Sequence, residues 1–224
     1  RRNLKPIVFV PLGWAFALIV LYAMRLPFWE QHGRYVIPAV PGVMLTGLVG
    51  SLWLLEAARR SLVWRVLTRV AVVGAGAVIV VMALVLSPGI YARDVTIIDQ
   101  EMVTSALWIA DNVPDGVPMA IHDIGAVAYY APRPILDIAG LVSPNVVPIV
   151  NDADALWSLM QAENMQLLMA FPDQIPGDDP TDPRLCEVFN TGGTAAIDAG
   201  GANMVIYALA WNEDCTSVRF VEND

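Results

Sequence analysis

Residues 7–24, 36–55 and 70–87 each run for 18 to 20 positions without a charged side chain. A hydrocarbon layer about 30 Å thick needs roughly 20 consecutive apolar residues in a helix, so each stretch is long enough to span one. Such runs leave few alternatives, because inside a bilayer a single segment can satisfy its own backbone N–H and C=O groups only as a helix. The expectation is three transmembrane helices followed by a soluble α/β domain with a mixed sheet, divided as 1–87 and 88–224.

The charges support this division. Residues 1–87 carry nine Arg or Lys and two acids, Glu30 and Glu56, whereas residues 88–224 carry four Arg and twenty acids. The balances of +7 and −16 give the overall −9. Nucleic acid is excluded as a partner of the second part, since phosphate binding needs clustered cations and this part has only Arg93, Arg133, Arg184 and Arg219. Arg1, Arg2 and Lys5 precede the first span, and Arg59, Arg60, Arg65 and Arg69 lie between the second and third. By the positive-inside rule both flanks are cytoplasmic, which puts the loop 25–35 and everything after residue 87 outside. The chain begins Arg1-Arg2-Asn3, without an initiator Met or a cleavage site after the first apolar run, and reads as a fragment rather than as a signal peptide.

Smaller features refine each part. In the second span Gly42, Thr46 and Gly50 recur every four residues, a face that another helix backbone can approach closely. Residues 56–69 carry four Arg opposite Leu62, Val63, Val66 and Leu67 and read as an interfacial helix. Beyond the membrane, helices are expected over 94–112 and 153–163, the latter capped by Asn151 or Asp152. Strands are expected at 118–122, 135–138, 166–171, 185–191, 203–211 and 217–221. Asp123 is the expected cap of a short helix that Pro132 and Pro134 stop, with Gly125 and Gly140 at chain reversals. Asp137 either ties down the second reversal or pairs with Arg133. Cys186 and Cys215 both fall in the outer part, where a disulfide persists, and no metal-ligand spacing accompanies them; the alternative is two reduced buried thiols. Asp173, Asp178, Asp179 and Asp182 lack calcium-loop spacing and read as a solvated excursion.

The run "DIGAVAYYAPRPILDIAGLVSP" contributes Asp123, Ile124, Gly125, Tyr129, Arg133, Asp137, Gly140, Leu141, Val142, Ser143 and Pro144 to a pattern D-I-G-x-x-x-Y, then R-x-x-x-D-x-x-G-L-V-S-P. This pattern resembles a segment in the soluble C-terminal domains of multi-spanning bacterial glycosyltransferases of the GT-C class. Upstream, "HGRYVIPAVP" resembles the Arg-Tyr-x-x-Pro-x-x-Pro element that opens a late transmembrane helix in the same enzymes, and both elements occur in the expected order. The resemblance implies a plasma (inner) membrane protein that transfers a sugar from a polyprenyl-phosphate-linked donor to an extracytoplasmic glycan, lipid or protein acceptor. It also implies a catalytic carboxylate in a first outer loop that these 224 residues do not include, so no catalytic residue is expected within them. No cofactor is expected here either; a divalent cation, where used, would belong to the missing N-terminal part. Candidate substrate-binding residues are Glu30, His32, Arg34 and Tyr35. Arg34 offers a planar, permanently charged fork to a lipid phosphate, or else it snorkels to headgroups. A second reading, from another class, is a non-catalytic membrane-anchored scaffold for envelope assembly that docks a basic partner on its acidic surface.

Overall fold

A computed structural model describes residues 9–25, 34–58, 61–211 and 215, with only the backbone at Arg34. The expected strand at 217–221 lies outside the described residues. The chain divides into two compact units, Arg1–Leu86 and Ser87–Asp224.

The first unit is helical. Helix α1 (Val10–Arg25) is followed by a 3-10 segment, Arg34–Ala39, that leads into α2 (Val40–Ala57), and then by α3 (Leu62–Val81). Glycine is required at one helix contact, where a Cβ on Gly42 would come within 2.6 Å of the Pro11 carbonyl oxygen. A Cβ on Gly50 would meet nothing, so close approach is confined to the first turn of the expected face. Thr46 turns its hydroxyl inward and donates to the Gly42 carbonyl at 2.8 Å. Gly42→Val is therefore expected to part α1 from α2, at a cost of about 1–3 kcal/mol. Heat-induced aggregation of the detergent-solubilised protein measures this, and an unchanged midpoint would contradict the close contact.

The expected interfacial helix over 56–69 is not a separate element. Ser61 is extended (φ −137°), and its hydroxyl accepts the Trp64 N–H at 3.2 Å, so that Arg65 and Arg69 fall in the first turns of α3. The third helix also fails to stop at residue 87. A helical run extends from Leu62 to Asn112, through α4 (Ser87–Ile98) and α5 (Thr104–Asn112), with wide π turns at Met82–Leu86 and Asp99–Val103. Proline has no N–H to continue the ladder and crowds the carbonyl four residues back. The π turn just before Pro88 absorbs that misfit by shifting the register by one residue. Among the described residues two helices, Tyr35–Ala57 and Leu62–Asn112, are long and apolar enough to cross a membrane, whereas α1, at 16 residues, is shorter. No residue of α3 is buried, and a helix that is apolar all round must cover itself with lipid or with other helices.

The second unit is built on a five-stranded mixed sheet: β1 (Met119–Ile121), β2 (Ile135–Asp137), β3 (Leu167–Ala170), β4 (Leu185–Asn190) and β5 (Val205–Leu209), ordered β2-β1-β3-β5-β4. The first three are parallel, and β5 is antiparallel to both β3 and β4. Alternate residues feed two cores. Met119, Ile121, Leu167, Met169, Ile206 and Ala208 pack with Ala106 and Ile109 of α5 and with Val127 of α6 (Ile124–Tyr130). Ala120, Leu136, Leu168, Val205, Tyr207 and Leu209 pack with Leu156, Trp157 and Met160 of α7 (Ala153–Ala162). Helices therefore cover both faces, which is why β1, β3 and β5 read as unbroken apolar runs instead of alternating ones. Asp152 caps α7 by accepting the Ala155 N–H at 3.0 Å. A short helix, α8 (Thr194–Asp198), lies between the expected strands 185–191 and 203–211, where no element was expected.

Two buried carboxylates organise the connections. Glu101, fully buried in the second π turn, accepts the Met204 N–H at 2.7 Å, the Asn203 amide at 3.0 Å and the Thr191 hydroxyl. Beside it Gln100 accepts the Ala195 N–H at 3.0 Å. Asp137, also fully buried, accepts the N–H groups of Ala139 at 2.9 Å and Val142 at 2.7 Å, while its own N–H donates to the Ser143 hydroxyl.

Candidate functional site

Strand β1 runs on to β2 at one side, and the chain then crosses to β3 at the other. In parallel α/β sheets this reversal leaves a crevice at the carboxyl ends of the strands, the usual position of a ligand. His122 and Asp123 follow β1 directly, and the 3-10 turn Pro172–Gln174 follows β3. The Asp123 carboxylate bridges the two, accepting from the Gln174 amide nitrogen at 3.1 Å and lying 3.4 Å from His122 Nδ1. Gln174 is fixed in turn, because its amide oxygen accepts the Phe171 N–H at 3.2 Å.

This corrects the role expected of Asp123. It occupies the position before α6, but its side chain makes no cap hydrogen bond. A glutamine 51 residues later holds it across the end of the sheet instead. Gly125 is not the reversal residue either: it lies within α6, and a Cβ there would meet nothing within 4 Å. Gly140 is a true turn glycine, with φ +76°, in the loop tied down by Asp137. Arg133 does not pair with Asp137. Its Nε donates to the Ala131 carbonyl at 3.1 Å, and its two terminal nitrogens are buried without a hydrogen-bond partner among the described residues. Burial lowers its pKa, partly offset by the charge of Asp115.

Beside His122 and Asp123 opens a cleft of about 580 Å³. It is lined by Ile98, Met102 and Val103 of the long helix, by residues 122–126 with Tyr129 and Tyr130, and by Leu141. Helix α6 buries Val127 and half-buries Ile124, and this spacing turns its tyrosines away from the sheet. Tyr129 is 78% exposed, Tyr130 43% and Leu141 74%. The two tyrosine rings meet edge to face, with centroids 4.8 Å apart. Among the described residues no Arg or Lys lines the cleft. Tyr129 belongs to the sequence motif, whereas Tyr130 and Gln174 are marked by no motif in the sequence. A seven-residue helix that can bury only one stripe while carrying two adjacent tyrosines was the available signal for the pair; Gln174 had none.

Glu30, His32 and the side chain of Arg34 are outside the described residues, and the Tyr35 ring stacks on Tyr22 at 5.7 Å. Cys186 and Cys215 are bonded to each other, with Cα atoms 5.4 Å apart. The aspartate-rich loop is pinned rather than free. Asp179 accepts the Thr181 hydroxyl and N–H, which hold its carboxyl below the usual range, and Asp182 is held low by Arg184 in an ion pair at 2.5 Å. The Arg184 guanidinium stacks 4.0 Å over Trp157, whose indole N–H donates to the Pro176 carbonyl. Among the described residues no three His, Cys, Asp or Glu side chains gather as a metal site.

No curated protein and no solved structure matches the sequence. One family model does, and its match over residues 93–210 takes in more than half of the chain, all five strands and every residue that lines the cleft. The chain belongs to that family, described as Domain of unknown function (DUF8728).

Proposed function

We propose that this chain is part of a membrane-embedded glycosyltransferase of the GT-C class, which transfers a sugar from a polyprenyl-phosphate-linked donor to an acceptor outside the membrane. The observation that carries the reading is the double use of one segment. The motif that resembles those enzymes also supplies Asp123, Gly125, Tyr129 and Leu141 to the cleft at the end of the sheet. In this reading α1 is a third span beside the two longer helices, and the Ser87–Asp224 unit faces the extracytoplasmic side of the plasma membrane. The last span reaches past residue 87: Leu84, Val85, Leu86, Ile90 and Tyr91 are all exposed, and the first charge after Arg69 is Arg93.

In the reaction the acceptor oxygen attacks the anomeric carbon, the bond from that carbon to the phosphate oxygen breaks, and the configuration inverts. A carboxylate in a preceding outer loop takes the hydroxyl proton. The leaving lipid phosphate is assigned to Arg34, in the segment that leads into α2, because a guanidinium is a planar, permanently charged partner for phosphate. The test is transfer from a radiolabelled polyprenyl-phosphate sugar by membranes that contain this chain with whatever its coding DNA places upstream. Arg34→Ala is expected to lower transfer about 10- to 100-fold, the worth of one charged hydrogen-bonded contact, and Arg34→Lys is expected to lower it less. Unchanged transfer in both variants would remove Arg34 from the site, and a start codon immediately before Arg1 would remove the transferase reading.

A further inference from the structure

We infer that the cleft bounded by Ile98, Met102, His122, Asp123 and Tyr129 binds a neutral saccharide, which in the transferase reading, on which that assignment rests, is part of the acceptor. Its size falls within the roughly 300–1,000 Å³ of small-molecule sites.

The lining decides the class of ligand. An anion finds no Arg or Lys there among the described residues and meets Asp123 instead, in a part of the chain with a formal charge of −16, so neither a lipid phosphate nor a sugar phosphate suits it. A wholly apolar ligand would strip water from the Asp123 carboxylate and the His122 ring and return no hydrogen bonds. A pyranose meets both demands. Its C–H face can cover an exposed aromatic ring, as Tyr129 offers, while its hydroxyl edge reaches the Asp123 carboxylate and the His122 ring. Asp123 holds Gln174 and lies 3.4 Å from His122 Nδ1, so acid and imidazole stand side by side at the cleft. The Gln174 bond also fixes that carboxylate before the ligand arrives, which reduces the ordering cost of binding.

The experiment is ligand-detected saturation-transfer NMR on the full chain in nanodiscs, using maltotriose, cellotriose and mannotriose, with inorganic phosphate and choline as charged competitors. Two variants test the location without touching the core. Tyr129→Ala removes a side chain that is 78% exposed, and Gly125→Leu fills the cleft from a position where a Cβ meets nothing within 4 Å. At least one trisaccharide is expected to bind in the millimolar range, with affinity about tenfold lower in Tyr129→Ala and no binding in Gly125→Leu. Neither phosphate nor choline is expected to compete. Failure of all three saccharides to bind, binding indifferent to both variants, or displacement by either ion overturns the inference. Its fate separates from that of the transferase reading. Saccharide binding that depends on Tyr129, in a protein that transfers no sugar, ends the transferase reading alone. Transfer that proceeds in Tyr129→Ala with unchanged rate and unchanged acceptor KM ends this inference alone.

Discussion

Glu101→Ala is expected to destabilise the Ser87–Asp224 unit by about 3–5 kcal/mol, because three donors lose their acceptor at once. The Met204 N–H, the Asn203 amide and the Thr191 hydroxyl all point at this one fully buried carboxylate. Such a cost is a large fraction of the roughly 5–15 kcal/mol that holds a domain folded. The unfolding midpoint should fall by roughly 10–20 °C, read by near-UV circular dichroism of the full chain in detergent. Glu101→Gln, which keeps the shape and one acceptor oxygen, should fall by less than half as much. A shift below about 3 °C for the alanine variant, well short of that scale, would mean that the carboxylate is not the joint between the long helix and the loop before β5. The same joint explains the glycine at 193: a Cβ there would run into the Glu101 carboxylate.

Removing the Cys186–Cys215 bond is the second large effect. The bond closes a loop across a separation of 29 residues, for which chain entropy gives about 3–4 kcal/mol. It fastens the chain beyond β5 to the first half of β4, the edge strand whose residues are mostly exposed or half-buried. The Cys186→Ala/Cys215→Ala double variant and the parent chain in reductant should therefore show the same lowered midpoint. A midpoint indifferent to reductant, or two free thiols in protein kept under oxidising conditions, would refute the bond.

The two predictions differ in how far the sequence announces them. Two cysteines in a part of the chain that the charge bias puts outside suggest their own pairing, with two reduced buried thiols as the alternative that the structure removes. Glu101 gives no such notice. It lies in a helical pattern between Gln100 and Met102, and its partners are 90 to 103 residues away. Asp123 is the converse case. An aspartate before a short helix is by local rules a cap, and tertiary structure overrode that rule by bringing Gln174 across the end of β3. The helix α8 went unread because the six residues between Gly192-Gly193 and Gly200-Gly201 are too few to display a period. Part of what holds it is Gln100, again from the distant helix.

From the sequence alone came the apolar helical half, the acidic α/β half, most strand positions and the capped helix α7. Each of these depends on side-chain periodicity, charge or capping within about 20 neighbouring residues, and such local patterns survive without knowledge of the fold. The strand order β2-β1-β3-β5-β4, the continuation of the helix through Pro88, the helices on both faces and the cleft with its bridged Asp123 were decided only by tertiary structure. An apolar strand fits beside any other apolar strand, and a carboxylate accepts from any donor. Which ones meet is set by packing the whole sheet between its helices, where every buried polar group must find a partner at the same time.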